Sequence, residues 1–471
     1  MYGPGVETSA SPPSAVTDPI PRALLRLAVP AFFSFGLRLA YQWVDALWVR
    51  GLGVEATAAV TSSIFVMWWV YSLNDIFAIG ITAFVSQLLG AGDRARAGLA
   101  AYKGLRASAL LGLFGTAAGL LAARPIFGWM GASPGLITRG GDYLSVLLAA
   151  APIPMMALTC ESVMRSAGDT RTPLLIDLCA VALNAVLDPI LIYGWGPVPA
   201  LGVRGAAWAT VAAQSAMLGG YLVAAARGHR AFPLARRALG PPVRIGRMAR
   251  VGLPAALIGM LFSVVYIVFA RSASRFGAAS LAIVGIANRI EAIQFMTGAA
   301  IGTAAAALVG QNLGAGRPER AALAIKVGVR WIVLVSVVLT TVVIAFPHAF
   351  IGMFTADAEV HRVGAPYLRV LSSCLVFVGV EVVVGEAILG SGHTTAISWI
   401  YSSVSLLRIP LAFLVPVWTG LGVLGLAWLI TVTCAVRTIA IVAWVARGTW
   451  KRGLQHELHA PPAGRPEALG A

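Results

Sequence analysis

Four carboxylates sit inside stretches of this chain that are otherwise almost free of charge. Asp45 lies deep in an apolar run over residues 25–49, with Arg38 seven residues earlier on the same helical face. Asn184 and Asp188 are spaced i and i+4, one turn apart on one face of a second run, and Asp177 shares that face three turns earlier. Asp75 follows Asn74 in a third run. An ionised side chain at the centre of a membrane costs roughly 2.5–3.5 kcal/mol on insertion scales, so such groups persist where they face a cavity or a partner. Desolvation disfavours the charged form of an unpaired carboxylate, which makes Asp45 and Asp188 candidate proton carriers. A carboxylate beside an amide carbonyl also offers hard oxygen ligands, and Asp45, Asn184 and Asp188 could equally hold Na⁺.

Other polar groups carry plainer expectations. Asn74 and Asp75 either line a cavity or tie two helices together. Arg289 and Glu291 are expected to form a local pair near a helix end. Glu381 and Glu386, five apart, point into different sectors, and Glu381 is a further candidate for the cavity. Arg165 and Arg171 flank Gly168 at a loop and are expected to meet lipid headgroups. Trp43, Trp48, Trp68, Trp69 and Tyr71 read mainly as interface anchors and packing.

Several chemistries find no support. No phosphate-binding Walker loop occurs. The glycines of Gly420-x-Gly422-x-x-Gly425 join two spans and follow no strand, so they read as a tight turn rather than a dinucleotide site. His456-Glu457-Leu458-His459 lacks the i, i+4 zinc spacing, and no His lies mid-span. No cofactor, metal centre or enzymatic activity is expected. The net charge of +16 would suit nucleic acid, but the basic residues sit in short loops between apolar spans, where they set membrane orientation instead.

These residues are positioned by long apolar helices. Hydrophobic residues make up 58% of the 471 and charged residues 11%, against about 25% charged in soluble domains. Runs near the ~20 residues needed to cross a bilayer occur at 25–49, 57–89, 98–122, 140–166, 171–195 and 201–226, numbered here spans 1 to 6. Spans 7 to 12 fall at 251–274, 278–310, 322–346, 362–390, 395–419 and 421–447. The two sets repeat at an offset of 224 residues. Pro30 matches Pro254, Gly53 matches Gly277, and Gln87 with Leu89-Gly90-Ala91-Gly92 matches Gln311 with Leu313-Gly314-Ala315-Gly316. Tyr143-Leu144 likewise matches Tyr367-Leu368, and Gly168 matches Gly392. Six spans per repeat is even, so both copies enter from the same side and are related by an axis along the membrane normal. The fold class expected is all-α integral membrane, twelve helices in two six-helix lobes.

The division expected is a disordered tail over 1–21, an N-lobe over 22–226, a linker over 227–250, a C-lobe over 251–447 and a second tail over 448–471. With both termini and the linker in the cytoplasm, 23 of the 35 basic residues fall on that side and 8 on the other, as the positive-inside bias requires. No cleavable signal precedes span 1. Cys160, Cys179, Cys374 and Cys434 lie within spans and are read as small apolar side chains.

The run Trp43-Val44-Asp45-Ala46-Leu47-Trp48-Val49-Arg50-Gly51-Leu52-Gly53 resembles the first-helix region of multidrug and toxic compound extrusion (MATE) transporters. Gln87–Gly92 and its echo Gln311–Gly316 resemble that family's loops after helices 2 and 8. The stretch Met164–Pro173 resembles its loop after helix 4, Asn184-x-x-x-Asp188-Pro189 its helix 5, and Gly205–Thr210 its helix 6. The likeness covers roughly residues 22–447. It implies a multi-pass exporter of the cytoplasmic (inner) membrane that drives organic compounds out in exchange for H⁺ or Na⁺ by alternating access. It also implies that Asp45, Asn184, Asp188 and Thr210 form the cation site, that helix 1 bends at Pro30, and that helices 1, 2, 7 and 8 wall the cavity. The acidic residues that NorM-like members carry in helices 7 and 10 are absent near Phe262, Ser263 and Val378, so the pattern leans to the DinF-like branch.

The expected cargo is amphipathic and cationic, the expected surroundings membrane lipid, and the expected state a monomer. A flippase for lipid-linked precursors shares the repeat but would want a basic cavity. Mid-span charges here are mostly acidic, with Arg38 the main exception. An uncoupled channel or receptor would not need titratable groups clustered in one half.

Overall fold

The computed structural model describes residues 14–129 and 133–454. The described chain is helical, with ten helices long and apolar enough to cross a membrane and two bent pairs that raise the number of spans to twelve. Spans 1 to 3 are Ile20–Val49, Val54–Gly90 and Arg94–Trp129. Span 4 is the pair Pro134–Ala149 and Pro152–Ser166, bent by 52°, and spans 5 and 6 are Arg171–Tyr193 and Val203–Ala226. Spans 7 to 9 are Ile245–Ser274, Ala278–Gly314 and Pro318–Ala345. Span 10 is the pair Ala358–Ser372 and Leu375–Leu389, bent by 44°, and spans 11 and 12 are Thr394–Trp418 and Val423–Ala446.

The repeat is visible element by element. Spans 1 and 7 each have 30 residues, 2 and 8 each have 37, and 6 and 12 each have 24. The bends fall in spans 4 and 10, which are equivalents, and Pro152 opens the second half of span 4 where its missing N–H costs nothing. Gly53 and Gly277 precede spans 2 and 8 with φ of 96° and 98°, a left-handed conformation that a side chain would strain. Pro30 and Pro254 stand inside continuous helices at matching places.

Small residues set how the lobes meet. Span 2 packs along span 7, span 8 along span 1, and spans 2 and 8 meet each other. A Cβ on Gly90 would strike the Gln311 carbonyl, and one on Gly314 would strike the Gln87 carbonyl, so only glycine permits this approach. Four apolar clusters hold the bundles. One of them joins Ile20, Leu24 and Leu27 of span 1 to Ile301 and Leu308 of span 8.

Three expected boundaries change. Residues 14–21 are not a loose tail. Ser14–Thr17 is a helical turn whose Ala15 and Val16 are buried, and the Ala15, Val16 and Asp18 carbonyls accept from Asn312, Arg317 and Arg320. Thr449–Arg452 forms a 3-10 turn with Trp450 buried, and the Leu454 N–H donates to Gln87 Oε1 at 2.8 Å. Both pieces are too short to cross a membrane, yet each has enough apolar surface to cover helix ends. Residues 1–13 and 455–471, with His456 and His459, lie outside the described residues. In the linker, Ile245–Arg250 belongs to span 7, while Phe232 and Val243 pack into the N-lobe core.

Candidate functional site

Span 1 carries Asp45, span 5 carries Asn184 and Asp188, and span 6 carries Thr210. The helical register turns all four to one place. Asn184 Nδ2 donates to Asp188 Oδ1 at 3.2 Å, and Thr210 Oγ1 donates to Asp45 Oδ2 at 3.4 Å. The side chains of Asp188 and Asn184 adjoin Asp45. All four are buried, and Asp45 Oδ1, Asn184 Oδ1 and Asp188 Oδ2 have no hydrogen-bond donor. Buried polar atoms are rarely left unpaired in this way. Two adjoining carboxylates with no basic partner among the described residues repel each other, and a proton or a small monovalent cation relieves that repulsion. The expected set Asp45, Asn184, Asp188 and Thr210 is thus brought together.

Arg38 does not serve Asp45. Its guanidinium pairs with Glu161 of span 4, and Arg165 pairs with the other oxygen of the same carboxylate. Arg165 also lies over the Phe35 ring at 4.9 Å. The expected headgroup role for Arg165 is therefore wrong: 11% of its side chain is exposed, and it faces the cavity. Glu161 is the cavity residue, joined to both arginines, that the sequence did not single out. Its i, i+4 spacing to Arg165 inside span 4 was the available signal. Asp177 is buried nearby with both oxygens unpaired.

A cavity of about 550 Å³ opens beside this cluster. Asp45, Asp75, Glu161, Asp177 and Glu386 line it, with Arg38 and Arg165 the only basic side chains among its lining residues. Of 37 lining residues, only seven belong to the C-lobe, and they come from spans 8 and 10. Span 7 contributes none, contrary to the expected walls of helices 1, 2, 7 and 8; spans 4, 5 and 6 take its place. Asn74 is turned away and accepts from Thr159 at 3.4 Å, tying span 2 to span 4, whereas Asp75 faces the cavity. Tyr71 also lines the cavity, with Gln214 donating to its hydroxyl at 3.3 Å. Trp48 and Trp69 are exposed on the outer surface, and the side chains of Trp43 and Trp68 lie outside the described residues.

The C-lobe acids behave otherwise. Glu381 is not a cavity residue: Arg437 grips both of its oxygens. Glu291 does not pair with Arg289; it accepts from the Tyr266 hydroxyl at 2.8 Å, while Arg289 stacks over Phe354.

At the end that carries both described chain ends, the lobes are latched reciprocally. Gln87 Nε2 donates to the Gly390 carbonyl, and Gln311 Nε2 donates to the Ser166 carbonyl, each at 2.8 Å. Both the donors and the acceptors are 224 residues apart, so the two bonds are one bond drawn twice by the repeat.

Comparison with known proteins matches this architecture. The MatE family model fits residues 30–190 and again 254–414. The chain is 27% identical to an FAD transporter of Shewanella oneidensis, over 85% of this chain and 89% of that protein. It is also 27% identical to the "Probable multidrug resistance protein NorM" of Thermotoga maritima, over 93% and 95%. Among solved structures, a crystal structure of a MATE protein in the bent conformation superposes with a TM-score of 0.87 at 23% identity, covering 94% of this chain and 99% of that one.

Proposed function

The chain belongs to the MatE family of membrane transporters, and from that premise we propose that it is a cation-coupled antiporter exporting amphipathic organic cations. It works as a monomer in the cytoplasmic membrane with both termini inside, and H⁺ is the first choice of coupling ion, Na⁺ the second. The observation that carries this reading is the trio of donorless oxygens on Asp45, Asn184 and Asp188, of which Asp45 lies on the cavity wall while Asn184 and Asp188 are buried beside it. A cation bound there offsets one of the two carboxylate charges, relieves their repulsion and lets spans 1 and 5 draw together. Cargo and cation then compete, because each favours a different shape of the same lobe, and that difference in affinity makes the exchange obligatory. Span 1 is the element free to respond, since Pro30 removes one of its backbone hydrogen bonds.

The cargo follows from charge. Five acids against two arginines line the cavity, and both arginines are already held by Glu161. An ammonium or pyridinium group finds unpaired carboxylates at Asp75 and Glu386, with Tyr41, Tyr71 and Tyr143 to cover its apolar part. The relative named an FAD transporter suggests a second reading, a phosphate-bearing aromatic cargo. That reading needs a free basic side chain in the cavity, and both that line it are tied to Glu161, with the Asp177 carboxylate also close to them. The same argument disfavours a lipid-precursor flippase. With the termini in the cytoplasm, the glutamine latch closes the inner side, and the N-lobe acids and tied C-lobe acids fit the DinF-like pattern. The test is transport in reconstituted vesicles: a lipophilic amine dye should accumulate only under an imposed proton or sodium gradient, and gradient-independent flux would remove the antiporter reading.

A further inference from the structure

The repeat allows the cation site of the N-lobe to be located in the C-lobe. The 224-residue offset holds through spans 5 and 11, since residues 30–190 and 254–414 match the same family model. Asp45, Asn184 and Asp188 therefore correspond to Phe269, Arg408 and Ala412. In the last span of each lobe the offset is 220. Gly202 and Gly422 have matching φ and ψ (57°, −132° and 54°, −134°), and Gly-Val-x-Gly-x-Ala-Trp opens both helices. Thr210 thus corresponds to Ile430. The four C-lobe positions are as buried as their partners.

One of those four is an arginine, and its side chain turns toward the span-12 wall of this locus. Arg408 Nη2 lies 3.5 Å from the carbonyl of Ile430, the residue that stands for Thr210. Its Nε donates to Thr433 Oγ1 at 2.8 Å, and Nη2 to Cys434 Sγ at 3.1 Å. Both carboxylates of the N-lobe site are gone, one replaced by the Phe269 ring and the other by Ala412. Neutrality is kept at a distance: Glu381 is taken by Arg437, and Glu291 is close enough to interact electrostatically with Arg408. Arginine does not release its proton in proteins.

We propose that the Arg408 guanidinium is a tethered cation occupying the C-lobe counterpart of the coupling site, so that the C-lobe is held permanently in the cation-loaded arrangement. The N-lobe exchanges its cation; the C-lobe carries one that cannot leave. Only one half of the repeat then changes shape during the cycle, and only one cation site is emptied per turn. This rests on the N-lobe reading given above.

The experiment grafts the N-lobe pattern onto the C-lobe. Thermal melting of the purified full-length protein is followed against pH and against NaCl, with choline chloride holding ionic strength. With Arg408 intact, Asp45→Asn should remove most of the cation-dependent stabilisation seen in wild type, leaving only the titration of the other buried acids, because no second site of paired carboxylates exists. Arg408→Asn combined with Ala412→Asp, made in that Asp45→Asn background, should restore it. If Asp45→Asn alone keeps the full wild-type cation dependence, the N-lobe reading fails. If that variant loses it but the graft gains none, the tethered-cation proposal fails and the N-lobe reading stands. A simpler variant guards against a graft that does not fold: Arg408→Ala should melt lower than wild type and be partly recovered by millimolar guanidinium but not by equal NaCl, while Arg408→Lys stays near wild type. Recovery by NaCl as large as by guanidinium, or an Arg408→Ala protein that melts with wild type, would overturn the proposal.

Discussion

The two lobes share one fold and treat buried charge in opposite ways. In the N-lobe, Asp45, Asp177 and Asp188 are buried and form no ion pair with a base among the described residues, and all 30 of the cavity's remaining lining residues beyond the C-lobe's seven come from this half. In the C-lobe, Glu381 is locked to Arg437, Glu291 is held by Tyr266, and Arg408, which stands where the N-lobe has Asn184, is bonded to Thr433 and Cys434. Unsatisfied polar groups are costly, and a lobe that carries them has something to gain by binding a cation. The C-lobe, whose acids are tied apart from Glu386 at the cavity, has less to gain. The two halves are equal scaffolds, and on the proposed reading differences at a few equivalent positions leave one of them responsive and the other fixed.

The comparison can be broken at several points, in falling order of effect. Asp188→Asn removes a charge without removing volume, so the protein should stay folded while gradient-driven export of a dye falls to background in vesicles. Breaking Glu161 should come next. Glu161→Leu leaves Arg38 and Arg165 without their shared counter-charge, which should cost about 3 kcal/mol of stability, read as a lowered melting temperature. A surviving fraction should also lose affinity for cationic dyes and gain it for anionic ones. Glu381→Gln should destabilise the C-lobe by leaving Arg437 unpaired, yet leave the number of ions moved per cargo unchanged. The smallest effect belongs to the latch. Gln311→Ala removes one inter-lobe hydrogen bond, worth about 1 kcal/mol, and should shift the population about five-fold toward the state open at the terminal side. Distances between spin labels on the loops after spans 2 and 8 would report it, and Gln87→Ala should act in the same direction.

Much of this was legible in the sequence. Apolar length gave the twelve spans, and the identical register of Pro30 with Pro254 and Gln87 with Gln311 gave the two lobes, because helix length and repeat spacing are local properties. Asp45, Asn184, Asp188 and Thr210 could be named because they share helical faces and a family pattern. What escaped was partner choice across distant spans. Arg38 had Asp45 on its own face, yet it turns to Glu161, 123 residues away, and no periodicity encodes that. The cavity's walls were missed for a similar reason: which face of span 4 turns inward depends on its 52° bend. The tails were misread because Ala15, Val16 and Trp450 are too few to form an apolar run, though each fills a gap between helix ends. Arg408 was available in principle. Carrying the 224-residue register a further turn or two along span 5 sets it opposite Asn184.

The central claim is that coupling resides in the N-lobe carboxylates alone. The most direct measurement is the number of protons or sodium ions moved per cargo molecule in reconstituted vesicles, wild type against Asp45→Asn. A fixed ratio in wild type, with both ion movement and uphill cargo export lost together in the variant, is the predicted result. Coupled export at an unchanged ratio in Asp45→Asn would contradict it and move the coupling site out of the N-lobe.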